Sequence, residues 1–300
     1  MAGTYTAIDL SQLPAPSVIE TLEFQTILDE ILADMRQRDP VFTALVESDP
    51  AYKQAEVFAY REMLMRQRVN DASRAVMLAY AKGSDLDQIG ANQGVLRLLI
   101  TPANPTTIPP TPAVYEPDED YRRRIQLAPE GYTTAGSEGS YVFHSLGADA
   151  DVKDAAPLSP TPGVVSVYVL SRTGNGAAPD ALLAKVDKAL NRETTRPMTD
   201  LVNVLSANIV PYSVNAELVM YPGPDAETVR KAAEDRLRTH LESLRRIGYD
   251  VNLSGIYAAL HQSGVQEVKL KAPLANITIG EGSASFPTSI TVTTAELTNV

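Results

Sequence analysis

Between Val18 and Met35 the apolar residues Val18, Ile19, Leu22, Ile27, Leu28, Ile31, Leu32 and Met35 recur mostly at spacings of three and four, which predicts one face of a helix. Asp49-Pro50 predicts the start of a longer helix, because proline at the first position lacks only a donor that would have no partner there. This segment is expected to reach about Lys82, with Gly83 and Ser84 as its stop. Within it Ala55, Phe58, Met65, Val69, Ala72, Val76 and Ala79 hold alternating spacings of three and four, with Glu62 the one misfit. At ~1.5 Å per residue the segment is a rod of roughly 45 Å, and its heptad-like seam suits a partner helix better than a rounded core. Either the Val18–Met35 helix folds back on the rod within one subunit or another chain covers it. The two are compatible, since an antiparallel pair leaves a third face free.

From Thr101 to Pro117 the pattern breaks at Pro102, Pro105, Pro109, Pro110, Pro112 and Pro117, which remove backbone donors and favour extended geometry. The segment reads as a domain boundary and semi-rigid spacer, or as a ligand for a proline-reading domain. After Gly147, strands and helices alternate. Gly163–Leu170 reads as a buried strand, Ala178–Leu190 as a helix, and "TDLVNVLSA" and "SVNAELVMY" as further strands. A long helix is expected from Pro224 to Ile247, with Asp225 and Glu227 in its first turn, Arg245 and Arg246 in its last, and Gly248 beyond. Its buried stripe is Val229, Ala233, Leu237, Leu241 and Leu244. Strand, Pro-Asp and helix follow one another twice, at Pro179-Asp180 and Pro224-Asp225. Beyond Pro273, "NITIG" and "SITVTT" suggest a β hairpin or a sheet edge. The expected fold is α+β and multidomain: a helical bundle-forming region over 1–100, a proline-rich linker over 101–117, a middle α+β domain over 118–215, and a C-terminal α+β domain over 216–300 with a β-rich end.

Composition narrows the functions open to this fold. A chain of 300 residues with 44% hydrophobic content can bury a core, and the net charge of -11 argues against nucleic acid as a partner. There is no cysteine, which excludes disulfides, thiolate nucleophiles and cysteine-ligated zinc. The first 35 residues hold no Lys or Arg, and the longest apolar run is "AVMLAYA", so neither a secretory leader nor a membrane span is expected. A protein made in the cytoplasm follows, including one assembled there into a particle that lysis releases.

Candidate chemistry concentrates in Pro117–Gly147. On a helix Asp118, Glu119 and Asp120 each precede an arginine, Arg122, Arg123 and Arg124, by four, and such pairs cancel locally for ~0.3–0.5 kcal/mol each. A salt-laced surface helix therefore competes with an anion site, Pro117 opening it and Tyr121, Ile125 and Ala128 forming its apolar side. Gly131 and Gly136 match half of a phosphate-binding frame, but Ser137 stands where the lysine is required. Ser137 reads instead as the cap of a helix through Leu146. His144, His240 and His261 match no zinc spacing, and Asp149 and Asp151 lack the rest of a calcium loop. No catalytic, cofactor-binding or metal-binding residue is assigned and no cofactor is expected; a two-carboxylate sugar hydrolase and a receptor-binding or fibre-adaptor protein stand as alternatives. The surface candidates are Phe58, Met65, Val69 and Val76, as an assembly interface.

Several motifs together resemble the J-like baseplate wedge proteins of contractile-tailed phages and phage-tail-like bacteriocins. They are "AKGSDLDQIGANQGVLR" with Gly83, Leu86, Gly90 and Arg97, then Asp120, Tyr121, Arg122 and Ile125, then Thr134-Ala135-Gly136-Ser137 and Tyr141, and the opening "IDLSQLPAP". The resemblance extends over nearly the whole chain and implies a structural subunit without catalytic residues, set in a six-fold ring around a hub and spike. It also implies the partners: a second copy of the chain and a smaller wedge protein in a three-chain helical bundle, a lysozyme-like sheath-initiating component, and neighbouring wedges. In that picture the ring widens and passes the change to the sheath; the proline-rich composition of Thr101–Pro117 makes that segment the expected hinge.

Overall fold

The computed structural model describes residues 8–10, 13–14, 16–132, 136–193, 195–197, 199–221 and 225–295. They form an α+β multidomain protein with helices α1 to α8 and strands β1 to β8 in three small sheets. The chain divides into two compact units, Ile8–Leu96 and Arg97–Val300.

The first unit is helical. Helix α1 spans Phe24–Arg38, a short 3-10 turn follows at Pro40–Ala44, α2 spans Pro50–Ala75, and α3 spans Gly83–Asn92. Its core is small: Ile27, Leu28 and Leu32 of α1 lie on Ala55 and Ala59 of α2. The two alanines have no bulk beyond Cβ, which lets the helices approach closely.

Helix α1 starts at Phe24 and not at Val18, for a reason visible in one buried side chain. Asn70 Oδ1 accepts from the Glu20 backbone N–H at 3.0 Å, and Asn70 Nδ2 donates to the Glu20 carbonyl at 2.9 Å. Both backbone groups of Glu20 are thus committed to α2, and a helical bond at that residue would break the clamp. Helix α2 ends at Ala75, short of Lys82, in a run of turns. Gly83, with φ +51°, then begins the next helix. The expected stop is a redirection that glycine tolerates because it has no Cβ.

The second unit begins with β1 (Leu99–Thr101) and β2 (Val114–Tyr115), which pair antiparallel. The proline-rich segment between them therefore returns to its origin. Glu116 N–H donates to the Leu98 carbonyl at 3.0 Å, and Asn104 bridges Thr111 near the tip. The expected extended spacer is corrected to a closed excursion. Leu99, Thr101, Val114 and Tyr115 keep the donors that the prolines lack, and Thr107 Oγ1 joins Thr111 at 2.9 Å across the turn.

Helix α4 (Asp118–Leu127) and α5 (Glu138–Ala148) precede β3 (Val152–Thr161), β4 (Val164–Ser171), α6 (Asp180–Leu190) and β5 (Leu201–Ser206). Ser137 caps α5 by accepting from Ser140 N–H. Strand β4 is central, antiparallel to β3 and parallel to β5, and α6 supplies the crossover that a parallel pair requires. Val167 and Val169 pack beneath Tyr141, Leu146, Leu182 and Val186.

The last sheet repeats this plan. Its central strand β6 (Asn208–Met220) is antiparallel to β7 (Val265–Ala272) and parallel to β8 (Ser283–Thr294). Along β6, Tyr212, Val214, Ala216, Leu218 and Met220 alternate inward. They meet Ala233, Leu237 and Leu241 of α7 (Ala226–Ser243) and Ile256 and Leu260 of α8 (Leu253–Leu260). Burying each leucine contributes roughly 1.5–3 kcal/mol before entropy opposes it. Asp225 caps α7, while Pro224 lies outside the described residues. "SITVTT" lies in β8, at an edge of its sheet. "NITIG" contributes no strand, only the bridge of Ile277 to Val251. The expected boundary at 215/216 falls inside β6.

Candidate assembly surface

Helix α2 presents more apolar surface than α1 covers. With about 100° per residue, Ala55, Ala59 and Asn70 share one face, while Phe58, Met65 and Val69 lie within about 40° of one another on a flank and Val76 stands just past the end of the helix, at its C-cap. These four side chains are 62%, 71%, 58% and 75% exposed. Val57, Tyr60 and Leu64 form a second exposed apolar flank. The spacings of seven, four and seven from Phe58 to Val76 are those of a helix-packing seam.

Charge borders this surface. Arg66 holds Glu62 at 2.5 Å and lies 3.7 Å from both Glu20 and Glu30, which joins α1, its lead-in and α2. The hydrogen bonds that Arg66 donates to Glu62 raise its guanidinium above its ordinary value. Exposed as it is, this network adds little stability and instead fixes where charge sits beside the apolar flanks.

The charged α4 is partly submerged. Tyr121, Ile125, Leu127 and Ala128 are buried, and the arginine run reaches partners outside the helix. Arg123 binds Asp154 at 2.8 Å, Arg124 binds Glu116 closely, Asp120 binds Arg172 at 2.6 Å, and Asp118 binds Arg97 at 2.7 Å. This corrects the expectation of a surface helix balanced by its own i,i+4 pairs, because burial of one face brings other elements within reach. Glu116, Asp120, Arg123, Arg124, Lys153 and Arg172 line a cavity with room for about one water. Burial pushes the Glu116 carboxyl upward against the pull of Arg124, and burial also lowers Lys153. The cations around the cavity are matched to carboxylates, Arg123 to Asp154, Arg124 to Glu116, Arg172 to Asp120 and Lys153 to Glu242.

Residues of the sequence motifs serve the fold. Leu86 and Gly90 are buried, Arg97 stacks 4.6 Å over the Tyr121 ring, and the Tyr141 hydroxyl donates to Asp200 at 2.7 Å. Gly136, with φ +66°, would drive any Cβ into Pro197. Thr134 and Ala135 of that turn lie outside the described residues. Among the described residues no group of three His, Cys, Asp or Glu side chains could hold a metal ion. No helix among them is long and apolar enough to cross a membrane. Asn70 and Asp154 escaped the sequence reading. The available signal was a polar residue in line with Ala55 and Ala59, and an aspartate on the same side of its strand as Val152.

Three family models run along the chain in order: the baseplate J-like N-terminal domain over residues 47–104, the central domain over 133–206, and the C-terminal domain over 212–293. They define a tail-baseplate protein whose family is structural and not enzymatic. The chain is 51% identical over 294 residues to baseplate protein J of Escherichia phage P2, covering 96% of this chain and 97% of that one. It belongs to the baseplate J-like family and is a structural baseplate component of a phage or phage-like particle. A solved chain in the six-fold symmetrised cryo-EM structure of the anti-feeding prophage baseplate aligns with a TM-score of 0.43 and 11% identity, over 61% of this chain and 44% of that one.

Proposed function

We propose that this chain is a wedge subunit of a contractile tail, assembled in the host cytoplasm into a six-fold ring around a hub and passing a conformational change from the ring to the sheath. Its proposed partners are a second copy of the chain, a smaller wedge protein, a lysozyme-like sheath-initiating component and neighbouring wedges. The observation that carries the reading is the exposed seam of Phe58, Met65, Val69 and Val76. Its size supports more than one helical partner. Helix α2 has 26 residues and is about 39 Å long, so one flank about 10 Å wide offers on the order of 400 Å² per side. That is about 800 Å² in total for one partner, below the ~1,200 Å² at which stable interfaces begin. A second partner on the Val57, Tyr60 and Leu64 flank brings the total into range, which supports a three-helix arrangement.

The test is co-purification with the smaller wedge protein. Aspartate at Phe58, Met65, Val69 and Val76 together is expected to abolish the complex while leaving a soluble monomer with unchanged helical circular dichroism. A variant that still assembles normally would refute the seam.

A further inference from the structure

We infer that the central and C-terminal modules, which separate family models match, move as one rigid body, and that the buried Asp154 carboxylate is the lock between them. The inference stands on contacts inside the second unit and does not depend on the assembly reading.

A hinge needs a linker and two surfaces able to part. Strand β5 ends at Ser206 and β6 begins at Asn208, so the connection is Ala207 alone, which is buried. Around it Leu170, Ile247 and Ala284 form a shared core with Ala156, Tyr168 and Ile209, drawing on both sheets. Two glycines at the junction press directly on side chains, with no room for a Cβ. Gly282 lies against the Tyr168 ring, where a Cβ would stand 2.8 Å from it, and Gly176 lies against Leu170 and Ile209.

Asp154 sits on β3 at the centre of this junction and is 4% exposed. One carboxylate oxygen accepts from Arg123 of α4 at 2.8 Å, and the other accepts from the Ile247 backbone N–H, just beyond α7, at 3.0 Å. Its neighbour Lys153 pairs with Glu242 of α7. From the same end of α7, Arg245 donates to the Gly174 carbonyl at 3.1 Å and stacks over Phe286. Parting the modules would strip a desolvated carboxylate of one partner, and buried charged groups are the costliest to leave under-satisfied.

Native-state hydrogen exchange on the full chain, followed in sub-denaturing guanidinium, tests both halves of the inference. In the wild type, the slowest amides of β4 and β6 are expected to converge on one opening reaction. Separate openings for the two strands would overturn the rigid body, and this measurement needs no variant. Asp154→Ala removes the acceptor for the Ile247 N–H together with the charge facing Arg123. It is expected to uncouple the strands, so that one exchanges at least ~10-fold faster than the other. Equal acceleration of both, or none, would reduce Asp154 to an ordinary core residue and overturn its role as the lock.

Discussion

The two units hold themselves together to different degrees. In Arg97–Val300, each larger sheet lies under two helices over a continuous apolar core. In Ile8–Leu96 the core is a few side chains wide, and more than half of the exposed large apolar residues among those described belong to this shorter unit. Each unit also buries a polar residue that binds backbone, and here too they differ. Asn70 is neutral and exchanges two bonds with a single residue, Glu20. Asp154 is a carboxylate joining a guanidinium to a distant amide. The comparison teaches that one unit buries its apolar faces between its own sheets and helices, whereas the other leaves much of its apolar surface exposed.

The sharpest way to probe this contrast is Leu237→Ala, fully buried under β6, which should lower unfolding stability by about 2–5 kcal/mol in urea denaturation. A loss below about 1 kcal/mol would mean that this core is less tightly packed than its burial implies. Asn70→Ala should lower stability by about 1–3 kcal/mol, because it leaves the Glu20 donor and acceptor without protein partners. Protection of the Glu20 amide from exchange should disappear with it.

Acid should separate the units. All three histidines lie in Arg97–Val300, and burial holds His144 and His240 below the ordinary imidazole value. Neutral in the folded state, they give the unfolded chain the greater proton affinity. Stability from these groups is therefore complete above about pH 6.5 and declines as pH falls through the depressed folded values. Urea midpoints for the sheets should fall between pH 7.5 and 5.5, while helical signals from Ile8–Leu96, which has no histidine, should hold steady. The smallest effect is the most diagnostic. Phe58→Ala should shift stability of the isolated chain by less than ~0.5 kcal/mol yet weaken the assembled complex by ~2 kcal/mol or more. Calorimetry of the free chain beside titration with the smaller wedge protein would reveal a seam that is merely surface.

Much of the fold was legible wherever a signal and its consequence lie within one helix or strand. Asp225 and the stripe through Ala233, Leu237 and Leu241 mark α7, Ser137 marks the start of α5, and the apolar run of β4 marks a buried strand. The proline excursion was not legible, because what closes it is the pairing of Leu99 with Tyr115, sixteen positions apart. The charges of α4 misled for a related reason. Spacings of four suggested local cancellation, but burial of Tyr121 and Ile125 carried Arg123 to Asp154 and Arg124 to Glu116.

The chain by itself determined the helix α7, the cap of α5, the strand β4, the lack of thiol chemistry and the heptad spacing along α2, because each depends on residues close in sequence. Only the tertiary structure decided that Glu20 is held straight by Asn70, that the proline-rich run returns on itself, and that Asp154 ties β3 to both α4 and the end of α7. Those outcomes rest on groups brought together across long stretches of chain. A buried polar atom takes whichever partner packing delivers to it, and sequence spacing carries no record of that choice.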